Sequence, residues 1–288
     1  MTIFCGIGTL LSASPQRPTF RTGVQTVTIY ATVSDREGRL VPDLKKEDFQ
    51  ILDNGRPVEA TVFSNEIQTI TVAVMLDMSG SMVGRFLRVR DATRHFIAAL
   101  RPGDRARVGT FGDEIAVSPL LTGDRRELER VLLEELWPGG ATPLWSAIDA
   151  AMTSLANEPG RRVVLTLTDG RDGWGRQRPP RTASLNDVKR RAVAESFMVY
   201  AIGFEGTGLD PGVLSLSEQT GGGHFEVKDT TELAPTFERV AEELRRQYAI
   251  GFTPAALDGK VHSLEIRLAE HGLKARGRRS YVAAPDRR

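Results

Sequence analysis

Cysteine is almost missing from this 288-residue chain. Cys5 stands alone, so no intramolecular disulfide can form and the fold must stand on its apolar core. No run of about 18 or more apolar residues occurs, so no transmembrane helix is expected. Histidine is scarce: His95, His224, His262 and His271 show no metal-ligand spacing, and each reads as structural or solvated. Neither sign of charge dominates. The 38 basic and 37 acidic residues leave a net charge of +1, which gives no general reason to expect nucleic acid or a membrane surface as partner. A Gly-x-Ser-x-Gly elbow and a Gly-x-x-x-x-Gly-Lys phosphate loop are also absent, which removes the usual serine hydrolase and ATPase signatures.

What is present is an ordinary globular balance, 40% hydrophobic and 26% charged, on a chain long enough for a sizeable core. Residues 22–66 read as β, with Val24, Val27, Ile29 and Ala31 in partial alternation, and a hairpin signal at Asp53-Asn54-Gly55. From residue 70 strands and helices alternate. Strands are expected at 70–76, 105–111, 115–117, 161–168, 197–202 and 224–227, the last at an edge. Helices are expected at about 83–100, 125–136, from 144, at 187–195, 210–220, and in a long stripe through Leu233, Phe237, Val240, Ala241 and Leu244. After Tyr248 the β pattern returns, with strands expected at 248–252, 261–268 and 275–282. This order predicts an α/β fold: a doubly wound, mostly parallel sheet with helices on both faces. The two β-rich ends are expected to join in a small β-sandwich. The units are then 1–16, 17–67, 68–247 and 248–288.

Three segments of the central unit carry chemistry. Asp77-Met78-Ser79-Gly80-Ser81 follows the apolar strand 70–76 and precedes a helix. Thr142 sits in Gly139-Gly140-Ala141-Thr142-Pro143, and Asp169 ends the strand 161–168. In doubly wound sheets, ligands bind at the carboxyl ends of the strands. If the strands before Asp77 and Asp169 are neighbours, both carboxylates face one crevice, and their two negative charges balance one divalent cation. Ser79, Ser81 and Thr142 add neutral oxygens. Oxygen ligands without His or Cys suit Mg²⁺, Mn²⁺ or Ca²⁺ rather than zinc. The plain alternative is that these are helix caps and Asp-Gly turns.

In this order, the five residues resemble the metal-ion-dependent adhesion site of von Willebrand factor type A domains: Asp-x-Ser-x-Ser, then a distant Thr, then a distant Asp. The resemblance covers about 68–247. It implies a Rossmann-like fold, Mg²⁺ held by Asp77, Ser79, Ser81, Thr142 and Asp169, and a partner protein whose Asp or Glu completes the metal shell. The flanks are similar to a bacterial group of VWFA-related proteins abundant in Acidobacteria, through Phe20-Arg21-Thr22-Gly23-Val24, Leu44 to Phe49 and Tyr248 to Pro254. Such proteins are generally exported. Ile3 to Leu11 followed by Ser12-Ala13-Ser14 reads as the back half of a secretory signal without its basic start, consistent with an extracytoplasmic, secreted or periplasmic protein. A frayed tail or an extra strand is the alternative for that segment.

Two further features stand near the site. The loop 170–184 concentrates Arg171, Arg176, Arg178 and Arg181 with Trp174 against one carboxylate, Asp172; it reads either as the rim of a binding surface or as a solvated loop with one packed Trp. Asp113 follows a strand and fits either a turn or the outer surroundings of a metal. The reading is a non-enzymatic binding module. Its rivals are a Mg²⁺-dependent phosphatase or hydrolase, which the core motif supports with no basic residue for a phosphate, and a scaffold whose metal is structural.

Overall fold

The computed structural model describes residues 26–134, 140–173, 182–204 and 208–284. Cys5, the signal-like segment, Phe20–Val24, Gly139 and the loop residues Trp174 to Arg181 lie outside the described residues.

The strands are β1 (Val27–Ser34), β2 (Phe49–Asp53), β3 (Arg56–Val58), β4 (Ala60–Ser64), β5 (Thr71–Asp77), β6 (Arg105–Phe111), β7 (Ile115–Val117), β8 (Arg162–Thr168), β9 (Phe197–Phe204), β10 (His224–Val227), β11 (Tyr248–Phe252), β12 (Val261–Leu268), β13 (Lys274–Arg276) and β14 (Ser280–Val282). The helices are α1 (Phe86–Ala99), α2 (Arg125–Glu134), α3 (Leu144–Ser154), α4 (Leu185–Ala194), α5 (Pro211–Thr220) and α6 (Leu233–Arg245).

The central sheet has six strands in the order β10-β9-β8-β5-β6-β7. Pairings are parallel except for the antiparallel edge strand β7. Side chains alternate across β5, so its two faces enter different cores. Val72, Val74 and Leu76 pack with α1, α2 and α6, whereas Ala73 and Met75 pack with α3, α4 and α5. Every residue from Val72 to Asp77 is buried, the near-continuous apolar run of a strand covered on both faces. The α/β fold is thus doubly wound, and His224–Val227 lies at the sheet edge, where it was expected.

The ends of the chain pair with each other. β1 lies antiparallel to β11, and β2 to β12. They belong to two four-stranded sheets, β13-β1-β11-β4 and β14-β12-β2-β3. Residues of both sheets share one apolar cluster, including Ile29, Ile51, Tyr248, Phe252, Leu264 and Tyr281. Aromatic contacts cross between the sheets, with ring centroids 4.9 Å apart for Phe49–Tyr248 and 5.7 Å for Phe252–Tyr281. The hairpin between β2 and β3 turns through Asn54 and Gly55, both at positive φ (48° and 77°), as the Asp-Asn-Gly signal requires.

One expectation is corrected. The stretch 275–282 is two short strands in different sheets: β13 pairs with β1, and β14 pairs with β12. The break falls at Gly277, where an added Cβ would stand 2.6 Å from Ile266 Cδ1. Beyond it, the Arg279 N–H donates to Gln219 O at 3.0 Å at the end of α5. The chain crosses there to touch the α/β unit, and a side chain at 277 would have to displace Ile266.

Candidate functional site

Strands β5 and β8 are neighbours in register, with Leu76 opposite Leu167. Asp77 and Asp169 therefore leave the sheet side by side at its carboxyl end. The chain after Asp77 does not enter α1 at once. It makes a short 3₁₀ turn over Gly80–Met82, with Ser79 in an extended conformation before it. That turn brings both serine hydroxyls back over the strand end.

A continuous line of oxygens results. Ser79 Oγ and Ser81 Oγ are 3.1 Å apart, and Ser81 Oγ donates to Asp169 Oδ1 at 2.8 Å. Mg²⁺ holds oxygens at about 2.0–2.1 Å in an octahedron, which sets adjacent ligands about 2.9 Å apart. The two observed spacings bracket that value, so the hydroxyls and the Asp169 carboxylate fit a hard cation of this size. Asp77 lies beneath them. It is fully buried; its Oδ1 accepts the Ser79 N–H at 2.9 Å and its Oδ2 accepts the Thr168 hydroxyl at 2.6 Å. Burial pushes the Asp77 carboxyl above the usual carboxylate range; the bonds from Ser79 and Thr168 hold it down in part, and the charge of Asp169 adds to the rise. Ser79 and Asp169 are also buried, while Ser81 opens to solvent.

Thr142 reaches the same end of the sheet through its backbone. Gly140 O accepts the Gly80 N–H at 3.1 Å, and Thr142 forms an isolated bridge with Gly173, its N–H donating to Gly173 O at 2.7 Å. The Thr142 loop is thus pinned to both the Ser79–Ser81 turn and the segment after Asp169. Gly140 has φ +83°, and a Cβ there would lie 1.7 Å from Asp113 Oδ1. The Asp113 carboxylate accordingly fills the space beside Gly140, at the rim. Among the described residues, no group of three or more His, Cys, Asp or Glu side chains is placed to hold a metal ion, so a cation here would rest on two carboxylates and hydroxyls.

Two residues of the site were not singled out from the sequence. Thr168 is the last residue of β8, where it reads as one more core position. Arg85 donates through Nη1 to Asp169 Oδ2 at 2.7 Å and to Ser81 O at 3.2 Å. Its spacing of four residues from Ser81 is the one signal that would have placed it on the same side of the turn. A basic residue therefore does stand at the site, outside the core motif.

Taken together, the fold and site define a doubly wound α/β module that presents carboxylates and hydroxyls from three loops at the carboxyl end of its sheet. The chain contains a von Willebrand factor type A domain: residues 72–171 match the model of that family. Over 186 residues the chain is 28% identical to the human calcium-activated chloride channel regulator 4, a match that covers 61% of this chain and 19% of that protein. It spans about a fifth of that relative's length. Among solved structures it is similar to the proximal thread matrix protein 1 of the mussel byssus, with a TM-score of 0.53, 17% identity, and coverage of 67% and 51% of the two chains. A von Willebrand factor type A protein from Catenulispora acidiphila superposes over 91% of this chain and 75% of its own, with a TM-score of 0.50 and 15% identity.

Proposed function

We propose that this protein is a binding module that captures a partner protein through an Asp or Glu side chain at a Mg²⁺ site made by Asp77, Ser79, Ser81, Thr142 and Asp169, and that it works outside the cytoplasm. Mn²⁺ and Ca²⁺ have the same ligand preference, and the partner, not the chain, supplies the last oxygen. The observation that carries this reading is the spacing of Ser79 Oγ, Ser81 Oγ and Asp169 Oδ1, which fits neighbouring ligands of one small dication. Ser81 is exposed, which leaves the outer side of such a cation open to a partner. Arg85 adds positive charge beside Asp169, so the surface that an acidic partner meets is not purely negative. The family also supports protein binding as the general role. Among the described residues no helix is long and apolar enough to cross a membrane.

The test is a Mg²⁺ titration followed by partner capture. Mg²⁺ should raise the melting temperature of the wild-type chain saturably, and the rise should vanish in Asp77→Ala and Asp169→Ala. Capture from the native envelope fraction should require Mg²⁺ and fail with EDTA. Mg²⁺ binding without Mg²⁺-dependent capture would leave the structural-metal scaffold standing. Phosphatase turnover abolished by Asp77→Asn would replace binding by catalysis.

A further inference from the structure

A second feature lies at the opposite end of the α/β unit, remote from Asp77. Here the unit meets the two flanking sheets around a cavity of about 640 Å³, lined by Arg161, Arg162, Arg278, Tyr30 and Ser280 among others. That volume suits a small molecule. Arg161 and Arg162 begin β8, and Arg278 lies on the segment that crosses from β13 to β14.

The three arginines share one property. Their hydrogen bonds go to neutral acceptors. Arg278 donates to Ser280 O at 2.9 Å, Ser196 Oγ at 2.9 Å and Val193 O at 3.2 Å. Arg162 donates to Ala156 O at 2.9 Å and to Glu195 O, while its guanidinium lies 4.4 Å from the Phe197 ring centroid. Arg161 donates to Leu244 O, Gln247 Oε1 and Thr69 O. These carbonyls sit largely at helix C-terminal ends, whose partial negative charge offsets only part of a full positive one. Glu195 also lines the cavity; its carboxylate accepts from Arg191 Nε at 3.1 Å and offsets part of the Arg162 charge, as Asp104 does for Arg161. Donors remain unused: Arg161 Nε, Arg162 Nε and Ser280 Oγ are buried with no hydrogen-bond partner. Arg162 and Arg278 grip the same turn, 193–196, so their guanidinium groups flank one spot.

Burying cations without a directly bonded counter-charge is costly. The same burial pulls the Arg278 guanidinium down to about 10 and moves Arg161 and Arg162 in the same direction. Arginines that line a cavity and bond only to neutral acceptors of the protein are suited to recognising an oxyanion.

We propose that this cavity is a binding site for a phosphate group, held between Arg162 and Arg278 with Arg161 and Ser280 completing its surroundings. The site is independent of the metal site in position and chemistry.

Differential scanning fluorimetry of the full chain tests it, with sodium phosphate compared against sodium chloride at equal ionic strength. Phosphate should raise the melting temperature saturably. Arg162→Gln and Arg278→Gln should each weaken half-saturation by about tenfold or more, the loss expected for a charge-assisted contact. Asp77→Ala should leave the phosphate response unchanged, which separates this site from the metal site. A second arm with phenyl phosphate distinguishes sources: tighter saturation than by inorganic phosphate marks an organic ester, and equal or weaker saturation marks the free ion. If a glutamine variant fails to fold, isothermal titration of phosphate into the wild type decides, with the Lys variants, which keep the charge but lose the fork, as the second comparison. A melting shift that follows ionic strength alone, no saturable heat, or a response unchanged in both variants overturns the proposal.

Discussion

Asp77 is held at an energetic disadvantage by its own neighbours. It sits in the sheet end with no solvent exposure, and Asp169 adds like charge. Its carboxyl is raised above the unfolded value of 3.8, so the native state binds the proton more tightly than the unfolded chain. Stability from this group is present at low pH and falls as pH rises from 3.8 through the raised native value. At neutral pH without metal the ionised carboxylate therefore works against folding. Asp77→Asn, which keeps an acceptor for the Ser79 N–H, should raise the melting temperature by a few degrees in EDTA, while abolishing the Mg²⁺-dependent rise. Loss of stability in EDTA would show that the carboxylate is a structural group. Thr168→Val is the companion change. It removes the hydroxyl 2.6 Å from Asp77 Oδ2 and should cost about 1–3 kcal/mol, read from urea unfolding, because a buried carboxylate oxygen loses its donor.

At the scale of elements, most of the α/β unit was legible because its strands are apolar runs and its helices carry clean stripes. α1 buries Val89, Ala92, Phe96 and Ile97 on the spacing that the sequence displays. The three segments that carry the proposed metal residues were legible in place, since they fall at strand ends and helix starts. Arg85 was not, because its position depends on the 3₁₀ turn over Gly80–Met82, which no periodicity announces. The split between β13 and β14 was hidden for a related reason: the crossing at Gly277 answers to Ile266 and to α5, both far away in the chain. His262 shows the same limit. Alone in the sequence it has no partner, yet in β12 its Nδ1 lies 2.9 Å from Asp53 Oδ1 and its Nε2 3.2 Å from Asp258 Oδ1, with Tyr281 donating to Asp53 Oδ2 at 2.9 Å. Burial pulls its titration down, but the bonds and charges of Asp53 and Asp258 outweigh this and leave it above 6.5. The stabilisation is fully present below 6.5 and is lost as pH rises through the raised native value. The urea midpoint of the wild type should fall between pH 6 and the alkaline range. His262→Gln should flatten that slope, and an unchanged slope would assign it to other groups.

For the whole molecule, what matters is how the α/β unit is fastened to the paired ends. The joint is polar and buried. On the α/β side, Arg245 of α6 pairs with Asp104 beside β6 at 2.8 Å, and both are almost fully enclosed. Gln247 Nε2 donates to Thr32 Oγ1 at 3.1 Å in β1 and to Tyr200 Oη at 3.3 Å in β9. Glu243 of α6, 2% exposed, pairs with Arg276 of β13 and is approached by Arg239 at 3.6 Å. Such groups stabilise only while every partner is in place, since an orphaned buried charge costs more than the pair contributes. A joint of this kind is expected to couple the two parts in unfolding. A single calorimetric transition is expected for the full chain. Arg276→Met should destabilise it by about 1–3 kcal/mol, less than for a fully enclosed pair because Arg276 is partly exposed. Adding Glu243→Gln should recover part of that loss, since the charge left behind is then removed. Two separate transitions in the wild type, or additive losses in the double variant, would mean that the flanking sheets and the α/β unit fold independently, and that a metal site at one end and a cavity at the other share a chain but not a stability.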